Sequence, residues 1–316
     1  MLHRMFTQIV LSVSLLGMSA HAQSPAAKAS EKVVIDTDIG DDIDDAFAVA
    51  LALRSPELQI LGISTTFGDT TLRARLLDRL LGEAGREDIP VVIGSPTKTE
   101  SSLTQRRFAE RGLFARASHP NAADFILDQI RRYPNEITLI ALGPLVNVGA
   151  LIDKDPQSFS KLRGVVLMGG SIERSYGDLG YAKPHGPEAE WNIKNDIPSA
   201  RKLFASGVSI FMMPLDSTQL KLDEVKRELV FRAGTPLTDA LTILYHQWGG
   251  ETPTMFDPLT VAYAIDAELC PTKPMRIRID DQGFTRVEPG APNANVCLDS
   301  ESDAFFHFYI PRVIGQ

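Results

Sequence analysis

The chain of 316 residues contains two cysteines, Cys270 and Cys297, and two tryptophans. Two cysteines are too few for a disulfide framework or for a cysteine-rich zinc site. The sequence leaves open whether these cysteines pair with each other or stay as buried thiols. Neither a cysteine-stabilised miniprotein nor a zinc-finger protein is therefore compatible with this composition.

The chain also lacks an excess of positive charge. Its 32 lysines and arginines stand against 40 aspartates and glutamates, which gives a formal net charge of −8 at pH 7. An acidic chain of this kind is unsuited to nucleic-acid backbones and to anionic membrane surfaces. The composition, 44% hydrophobic and 23% charged, is typical of a folded soluble protein. Small uncharged ligands remain compatible with this charge balance.

The apolar segment near the N-terminus is too short to span a bilayer. It covers Ile9–Met18 and is followed by Ala20-His21-Ala22, which has small residues at the spacing that a signal peptidase requires. We predict a secretory signal peptide over residues 1–22 and a disordered segment over residues 23–31. The mature protein is then expected to be periplasmic or secreted, without contact to a membrane.

Residues 32–316 alternate between short apolar runs and amphipathic segments. The apolar runs are rich in β-branched residues and predict strands that are buried on both faces. These runs are Val33–Ile35, Ile60–Thr65, Ile89–Ile93, Ile137–Ala141, Val165–Met168 and Val208–Met213. Helical periodicity occurs over Asp44–Arg54, Thr71–Ala84, Ala122–Tyr133, Leu145–Ile152 and Pro198–Ser206. The alternation predicts a single-domain α/β fold with an open, mainly parallel β-sheet flanked by helices.

The last third of the chain carries further predicted elements but no linker or repeat. Helices are predicted over Asp223–Phe231, Leu237–Trp248 and Pro258–Ala267. Met275–Ile279 and Thr285–Glu288 flank a turn and predict a β-hairpin on the edge of the sheet. Since ligands bind beyond the carboxyl ends of the strands in open parallel sheets, we expect the functional residues directly after the apolar runs.

Six aspartates occur within the ten residues Asp36–Asp45. Asp44 and Asp45 begin a predicted helix, where the helix dipole favours carboxylates. Capping accounts for one or two of the six, but crowded carboxylates raise the pKa of one another. The apolar flanks disfavour a solvated loop, because they hold the run between a buried strand and a helix. A hard divalent cation, Ca²⁺ or Mg²⁺, would relieve the repulsion.

Other motifs follow the acidic segment along nearly the whole chain. They are Gly62–Asp69, Ala141–Asn147, Leu167–Gly170, Glu190–Asn192, Pro214–Thr218 and Asp257–Ala262. Together with the segment that begins at Asp36, these motifs resemble, in sequence and in order, those of the inosine–uridine-preferring nucleoside hydrolases. The resemblance implies a nucleoside hydrolase-like fold with a Rossmann-like core and a tightly bound Ca²⁺. It also implies a homo-oligomer, a dimer or a tetramer, that hydrolyses the N-glycosidic bond of ribonucleosides to free base and ribose.

The resemblance extends to individual residues. The implied metal ligands are Asp38, Asp45, the main-chain carbonyl of Leu142, and Asp257. Asp38 is also the implied catalytic base that takes a proton from the attacking water. The implied ribose contacts are Asp44, Asp69, Met168, Glu190 and Asn192. Trp191 is the first candidate for stacking on the base, and Glu190-Trp191-Asn192 resembles the purine-preferring branch.

Two departures from the family pattern leave alternatives open. Phe256 stands where many members have a histidine that acts as general acid, so it either packs in the core or forms a wall against the base. Stacking on Trp191 or Trp248 could stabilise the leaving base, and His185 and His246 are the remaining acid candidates. The first loop is also two residues longer than the shortest family form. Aligning it on Gly40 instead of on Asp44-Asp45 would give a ligand role to Asp41 or Asp42.

Two alternative functions compete with a purine-preferring hydrolase. Asp36-Thr37-Asp38 after an apolar strand also begins the motif of haloacid-dehalogenase-type phosphatases, in which the first aspartate is the nucleophile and Mg²⁺ holds the phosphate. The early position of Asp44-Asp45 argues against this alternative. A non-catalytic protein that binds ribonucleosides or Ca²⁺ is the other alternative, because the histidine is absent. The hydrolase is favoured since all the acidic metal positions are present.

Overall fold

The computed structural model describes residues 30–98, 102–178, 183 and 185–315. The strands are β1 (Glu31–Thr37), β2 (Leu58–Thr65), β3 (Val91–Ile93), β4 (Ile137–Ala141), β5 (Gly164–Met168), β6 (Ile210–Met213), β7 (Thr272–Met275), β8 (Ile277–Ile279), β9 (Thr285–Val287) and β10 (Ala294–Cys297). The predicted signal peptide and all but the last two residues of the predicted disordered segment lie outside the described residues. Glu31, which was assigned to that disordered segment, instead begins β1 and pairs with Leu58.

The central sheet has eight strands in the order β3-β2-β1-β4-β5-β6-β10-β7. All neighbouring strands are parallel except β10 and β7, which are antiparallel. The six predicted strands are confirmed within two residues at each end. Their side chains are buried on both faces because helices cover both sides of the sheet.

Helices cover the two faces of this sheet. They are α1 (Asp44–Leu53), α2 (Thr70–Glu83), α3 (Arg106–Glu110), α4 (Ala122–Arg132), α5 (Val146–Lys154), α6 (Pro156–Phe159), α7 (Trp191–Lys194), α8 (Ile197–Ala205), α9 (Leu215–Thr218), α10 (Glu224–Phe231), α11 (Pro236–Trp248), α12 (Phe256–Ile265) and α13 (Ser302–Ile314). The eight predicted helices are confirmed within two residues at each end. No helix in the described part of the chain is long and apolar enough to cross a membrane.

Two hydrophobic clusters form the core, one on each face of the sheet. Val33 and Ile35 of β1 belong to one cluster and Val34 belongs to the other, because successive strand residues point to opposite faces. Helices α1, α2, α11, α12 and α13 supply the first cluster, and α4, α5 and α8 supply the second. This arrangement confirms the single α/β domain with an open, mainly parallel sheet.

Helix α1 is apolar on nearly all sides, and its residues 46–52 are buried. It contacts α12, which is also strongly apolar. A helix that is hydrophobic all round requires burial all round. The polar residues in the first turns of α1 and α12 are therefore buried as well, and this is how aspartates come to lie inside the protein.

The end of the chain differs from the expectation. The hairpin of β8 and β9 forms, but as a separate two-stranded sheet and not on the edge of the central one. β10 pairs with β6 and β7 pairs with β10, so these two unpredicted strands occupy that edge. Cys270 and Cys297 form a disulfide next to this edge, which resolves the question that the sequence left open. Helix α13 was not predicted either; it contains Pro311, which usually disfavours helix.

Candidate functional site

A cavity of about 430 Å³ opens at the carboxyl ends of β1, β4 and β5. Its lining residues are Asp38, Asp41, Asp42, Asp44, Asp45, Ser102, Thr104, Leu142, Met168, Tyr176, Glu190, Trp191, Asn192, Trp248, Phe256 and Asp257. Every predicted metal ligand is among them, as is every predicted substrate-binding residue except Asp69. The carboxyl-end position agrees with the rule for open parallel sheets.

Three buried carboxylates form one side of this cavity. Asp44 and Asp45 lie in the first turn of α1, and Asp257 lies in the first turn of α12. One carboxylate oxygen of each lies within 4.8 Å of the others. Burial, and then the negative charge of neighbouring aspartates, raises the pKa of all three well above the ordinary value. Crowded buried oxygens of this kind suit a hard divalent cation.

The grouping of Asp44 and Asp45 with Asp257 supports the alignment that starts from the helix. Asp41 and Asp42 lie outside this group of three, although they line the same cavity. The carboxylate of Asp44 thus lies among those that could hold a metal, whereas the family resemblance implied that Asp44 contacts the ribose. One carboxylate can serve both purposes, since it has two oxygens.

Asp38 lies between β1 and α1 and faces the same cavity. Burial raises the pKa of its carboxyl to about 6, and the positive charge of Arg73 opposes this rise. A Cβ atom on Gly143 would lie 2.6 Å from Oδ1 of Asp38, so only glycine leaves room for this carboxylate. The glycine of the Ala141–Asn147 motif therefore has a steric role at the site.

Arg73 of α2 is a buried residue that the sequence analysis missed. Its Nη1 donates hydrogen bonds to the carbonyls of Asp38 and Ile39, the latter over 2.9 Å, and its Nε donates to the carbonyl of Phe67 over 2.8 Å. The guanidinium thus holds the main chain of the first loop and places a positive charge beside the aspartates. The sequence did contain a signal for this role, because Arg73 occupies a core position of an amphipathic helix.

Glu190 and Asn192 lie on the β5 side of the cavity. The Glu190 carboxylate caps α7 and accepts hydrogen bonds from the main-chain N–H groups of Asn192 and Ile193. Burial raises the pKa of Glu190. Nδ2 of Asn192 donates to the carbonyl of Leu142 over 2.8 Å and to that of Met168 over 3.2 Å. These bonds join the ends of β4 and β5 to the start of α7.

Tyr176 lines the cavity and was not singled out from the sequence. Its hydroxyl donates to Oε1 of Glu190 over 3.3 Å and accepts from the main-chain N–H of Trp191 over 3.2 Å. Its ring meets Phe256 edge-on, with 5.8 Å between the ring centres. Tyr176 lies in a long Gly- and Pro-rich loop without periodicity, so the sequence offered no signal for its position.

Asp69 and Asp36, which belong to the predicted motifs, do not line the cavity. Asp69 is exposed and caps α2, accepting the main-chain N–H of Leu72 over 3.0 Å. The helix start thus uses this carboxylate, and the structure does not support a ribose contact from it. Asp36 is buried, and its Oδ1 accepts from Ser64 and Asn147. An aspartate enclosed in this way is not presented as a nucleophile, which disfavours the phosphatase alternative.

The histidines proposed as acids also lie elsewhere. His185 is exposed and pairs with Asp178, and His246 stacks edge-on against Tyr245 on α11. Neither lines the cavity. Trp191, Trp248 and Phe256 do line it, so the cavity wall offers aromatic rings and no imidazole within the described part of the chain.

Comparisons with known proteins agree with this geometry. The family model for inosine-uridine preferring nucleoside hydrolases matches residues 33–307. Uridine nucleosidase 1 of Arabidopsis thaliana is 32% identical over 279 residues, which cover 80% of each chain. The pyrimidine-specific ribonucleoside hydrolase RihA of Salmonella arizonae is 31% identical over 318 residues, covering 89% of this chain and 97% of its own.

A solved structure shows the same fold. The purine-preferring ribonucleoside hydrolase from Gardnerella vaginalis matches with a TM-score of 0.76 at 23% identity, covering 90% of this chain and 98% of that one. The family match spans nearly all of the described residues, and both sequence relatives exceed 30% identity. This chain is a nucleoside hydrolase, and it belongs to the family of inosine-uridine preferring nucleoside hydrolases.

Proposed function

We propose that this nucleoside hydrolase uses Ca²⁺ and prefers purine ribonucleosides, which it cleaves to free base and ribose outside the cytoplasm. One observation carries the proposal: the buried carboxylates of Asp44, Asp45 and Asp257 share a cavity with Trp191 and three other aromatic side chains. The carboxylates suit a cation and a positively charged sugar, and the aromatic rings suit a flat base.

The residues present fit a calcium ion. Asp38, Asp45, the Leu142 carbonyl and Asp257 would hold it, because Ca²⁺ prefers oxygen ligands and combines carboxylates with carbonyls. When bound, Ca²⁺ supplies positive charge that offsets the buried carboxylates and lowers the pKa of the attacking water. Burial, and then repulsion by neighbouring aspartates, raises the pKa values of Asp45 and Asp257, and this is the observation behind the fit.

The protein side chains perform the remaining steps of hydrolysis. Asp38 takes the proton of the attacking water, since it faces the cavity beside Asp45. Asp44, Glu190 and Asn192 bind the ribose hydroxyls. As the glycosidic bond breaks, the sugar becomes oxocarbenium-like, and the surrounding carboxylates stabilise its positive charge. A site built around hydroxyls leaves polar groups unpaired when a hydroxyl is missing, so ribose is favoured over deoxyribose.

The leaving base is stabilised by stacking. Trp191 is 39% exposed at the cavity wall, and Trp248 and Phe256 also line the cavity. A purine offers more area to these rings than a pyrimidine, which supports the purine preference. The names of the two sequence relatives refer to uridine and to pyrimidines, so base preference is the first property to measure.

The proposed location is the periplasm or the exterior of the cell, with salvage of bases from nucleosides as the role. The disulfide between Cys270 and Cys297 supports it, because disulfides persist in oxidising compartments. We further propose a homodimer or homotetramer and no membrane contact after cleavage of residues 1–22. N-terminal sequencing of the exported protein, and sedimentation of it, check these statements.

The test is release of reducing sugar by the mature protein. Inosine, adenosine, guanosine, uridine and cytidine are supplied with Ca²⁺ and after chelation. We expect release that requires the metal and is fastest with purines. Faster release from uridine and cytidine would overturn the purine preference. Tight binding of nucleosides without any ribose release would favour a non-catalytic binding protein instead.

A further inference from the structure

Hydrogen bonds hold the lengthened first loop against the segment that follows β3. Thr104 Oγ1 donates to the carbonyl of Asp41 over 2.6 Å, and Gln105 Nε2 donates to the carbonyl of Asp42 over 2.8 Å. Ser102 Oγ donates to Oδ1 of Asp41. Both the main chain and the side chain of Asp41 are therefore held in place at the cavity wall.

Asp41 lies on the opposite side of the cavity from Glu190 and Asn192. In the sheet order, β3 and β5 lie on opposite sides of β1, and the metal-binding carboxylates follow β1. Ser102 and Thr104, which contact Asp41, follow β3. Glu190 contacts Gly170, which follows β5, and Asn192 contacts Met168, the last residue of β5. A ribose bound by Glu190 and Asn192 therefore leaves the β3 side of the cavity for the base.

Trp248 lies on this same β3 side. The residue before it, Gln247, accepts a hydrogen bond from the main-chain N–H of Phe108 over 3.0 Å. Phe108 belongs to α3, which follows Ser102 and Thr104 directly in the chain. The β3 side of the cavity thus combines an aromatic ring with a carboxylate, which is the pair of groups needed to stack a flat base and to bind its edge.

We infer that Asp41 reads the edge of the nucleobase and selects guanine among the purines. This inference rests on the proposed function. A carboxylate only accepts hydrogen bonds. Guanine presents two adjacent donors, N1–H and the exocyclic amino group, and so pairs with both carboxylate oxygens or with one oxygen twice. Hypoxanthine lacks the amino group, and the single N–H of uracil lies between two carbonyl oxygens that a carboxylate repels.

Asp42 provides a matched comparison in the same loop. Its Oδ1 accepts the main-chain N–H of Ile43 over 2.7 Å, so this carboxylate is turned toward its own loop. Replacing either aspartate by asparagine removes one negative charge at the cavity rim. Only Asp41→Asn is expected to change the discrimination between guanosine and inosine, because these nucleosides differ only in the amino group that Asp41 would bind.

The test compares guanosine with inosine in the wild-type protein, Asp41→Asn and Asp42→Asn. Steady-state KM and kcat are measured together with equilibrium binding by calorimetry. We expect the wild type to favour guanosine by about tenfold or more, mainly in KM and Kd, which corresponds to one hydrogen bond to a charged acceptor. Asp41→Asn is expected to bring this ratio close to one, and Asp42→Asn is expected to leave it near the wild-type value.

Several results would overturn the inference. They are a wild-type ratio near one, an unchanged ratio in Asp41→Asn, or a ratio that falls only in Asp42→Asn. Thermal unfolding of both variants checks that they are folded. If the wild type binds guanosine more tightly than inosine, Asp41→Asn loses this difference and the wild type releases no ribose, the role of Asp41 stands and the proposed hydrolysis fails. The two proposals can thus be separated.

Discussion

The main-chain N–H of Asp257 donates a hydrogen bond to Oδ2 of Asp44 over 3.2 Å, although 213 residues separate the two in sequence. Each residue lies in the first turn of an apolar helix, α12 or α1, and the two helices contact each other. Together with Asp45, these two residues form the group of three carboxylates that could hold a metal ion. Packing of two buried helices is thus what assembles the candidate metal site.

The first prediction concerns Asp257→Asn, which removes one carboxylate from this group. We expect the affinity for Ca²⁺ to fall at least about 100-fold. Loss of a residue that only supports a ligand lowers metal affinity by up to about 100-fold, and loss of a ligand should have a larger effect. Nucleoside hydrolysis should fall with it. Without metal, the variant should unfold at a higher temperature than the wild type, because the repulsion between buried carboxylates decreases.

Calorimetric titration with Ca²⁺ and thermal unfolding in EDTA measure these effects. The matched control is Asp69→Asn, which changes an exposed helix cap outside the cavity. It should leave the Ca²⁺ affinity unchanged. An Asp257→Asn protein that binds Ca²⁺ as tightly as the wild type would contradict the assignment of Asp257 as a ligand.

The second prediction concerns Asp36 and pH. Burial raises the pKa of this carboxyl to about 7, against the hydrogen bonds from Ser64 and Asn147. Between its ordinary pKa near 4 and about 7, the native state keeps the proton and the unfolded state loses it. The free energy of unfolding contributed by Asp36 therefore falls as pH rises through this range, by about 2–4 kcal/mol.

Urea unfolding in EDTA at pH 5 and pH 7.5 measures this slope. Asp36→Asn keeps an oxygen that accepts from Ser64 and Asn147 but does not titrate, so its stability should decrease less over the same interval. Other buried aspartates leave a residual slope in the variant. Equal slopes for the two proteins would show that Asp36 ionises alike in the native and unfolded states.

The third prediction concerns Tyr176→Phe. The hydroxyl of Tyr176 bonds both Glu190 and the main-chain N–H of Trp191, so its loss frees the carboxylate proposed to bind ribose. We expect KM for ribonucleosides to rise about 2–10-fold, as one hydrogen bond contributes about 0.5–1.5 kcal/mol. The value of kcat should change much less.

Steady-state kinetics with purine nucleosides separate KM from kcat. Tyr245→Phe is the matched control, since its hydroxyl donates to the carbonyl of Glu251 and the residue does not line the cavity. It should keep both constants near the wild-type values. A Tyr176→Phe enzyme with unchanged KM would exclude a positioning role for the hydroxyl.

The fourth prediction concerns the disulfide between Cys270 and Cys297. It spans 27 residues, and both cysteines are fully buried. The double variant Cys270→Ala, Cys297→Ala should lose about 3–4 kcal/mol of stability, because the unfolded chain regains the freedom that the cross-link removes. Activity at 25 °C should persist, since neither cysteine lines the cavity.

Denaturant unfolding and thiol titration of the unfolded wild-type protein check this prediction. Titration without reductant should find no free thiol. Two reactive thiols per chain in protein purified from an oxidising compartment would show that the disulfide does not form there. Equal stability of the double variant and the wild type would show that it does not stabilise the native state.

The sequence by itself was sufficient for the α/β class and for most of the cavity. Short runs such as Ile137–Ala141 have no alternation and are rich in β-branched residues, which is typical of strands covered on both faces. Once the strands are parallel, residues such as Asp38 and Leu142 must meet at their carboxyl ends. Local pattern and one topological rule therefore placed the residues that follow β1 and β4 together, and the family resemblance added Glu190, Asn192 and Asp257.

Only the tertiary structure decided the roles of Arg73, Tyr176 and Asp69. Arg73 and Tyr176 act through contacts with segments that are remote in sequence. The Asp69 carboxylate can either cap a helix or bind a ligand. Asp69 caps α2 because the main-chain N–H of Leu72 lies next to its carboxylate. The sequence motif alone does not distinguish this role from ribose binding. The edge strands β7 and β10 were decided in the same way. Their few residues have weak local preference, and the pairing of β10 with β6 and of β7 with β10 selects the extended conformation.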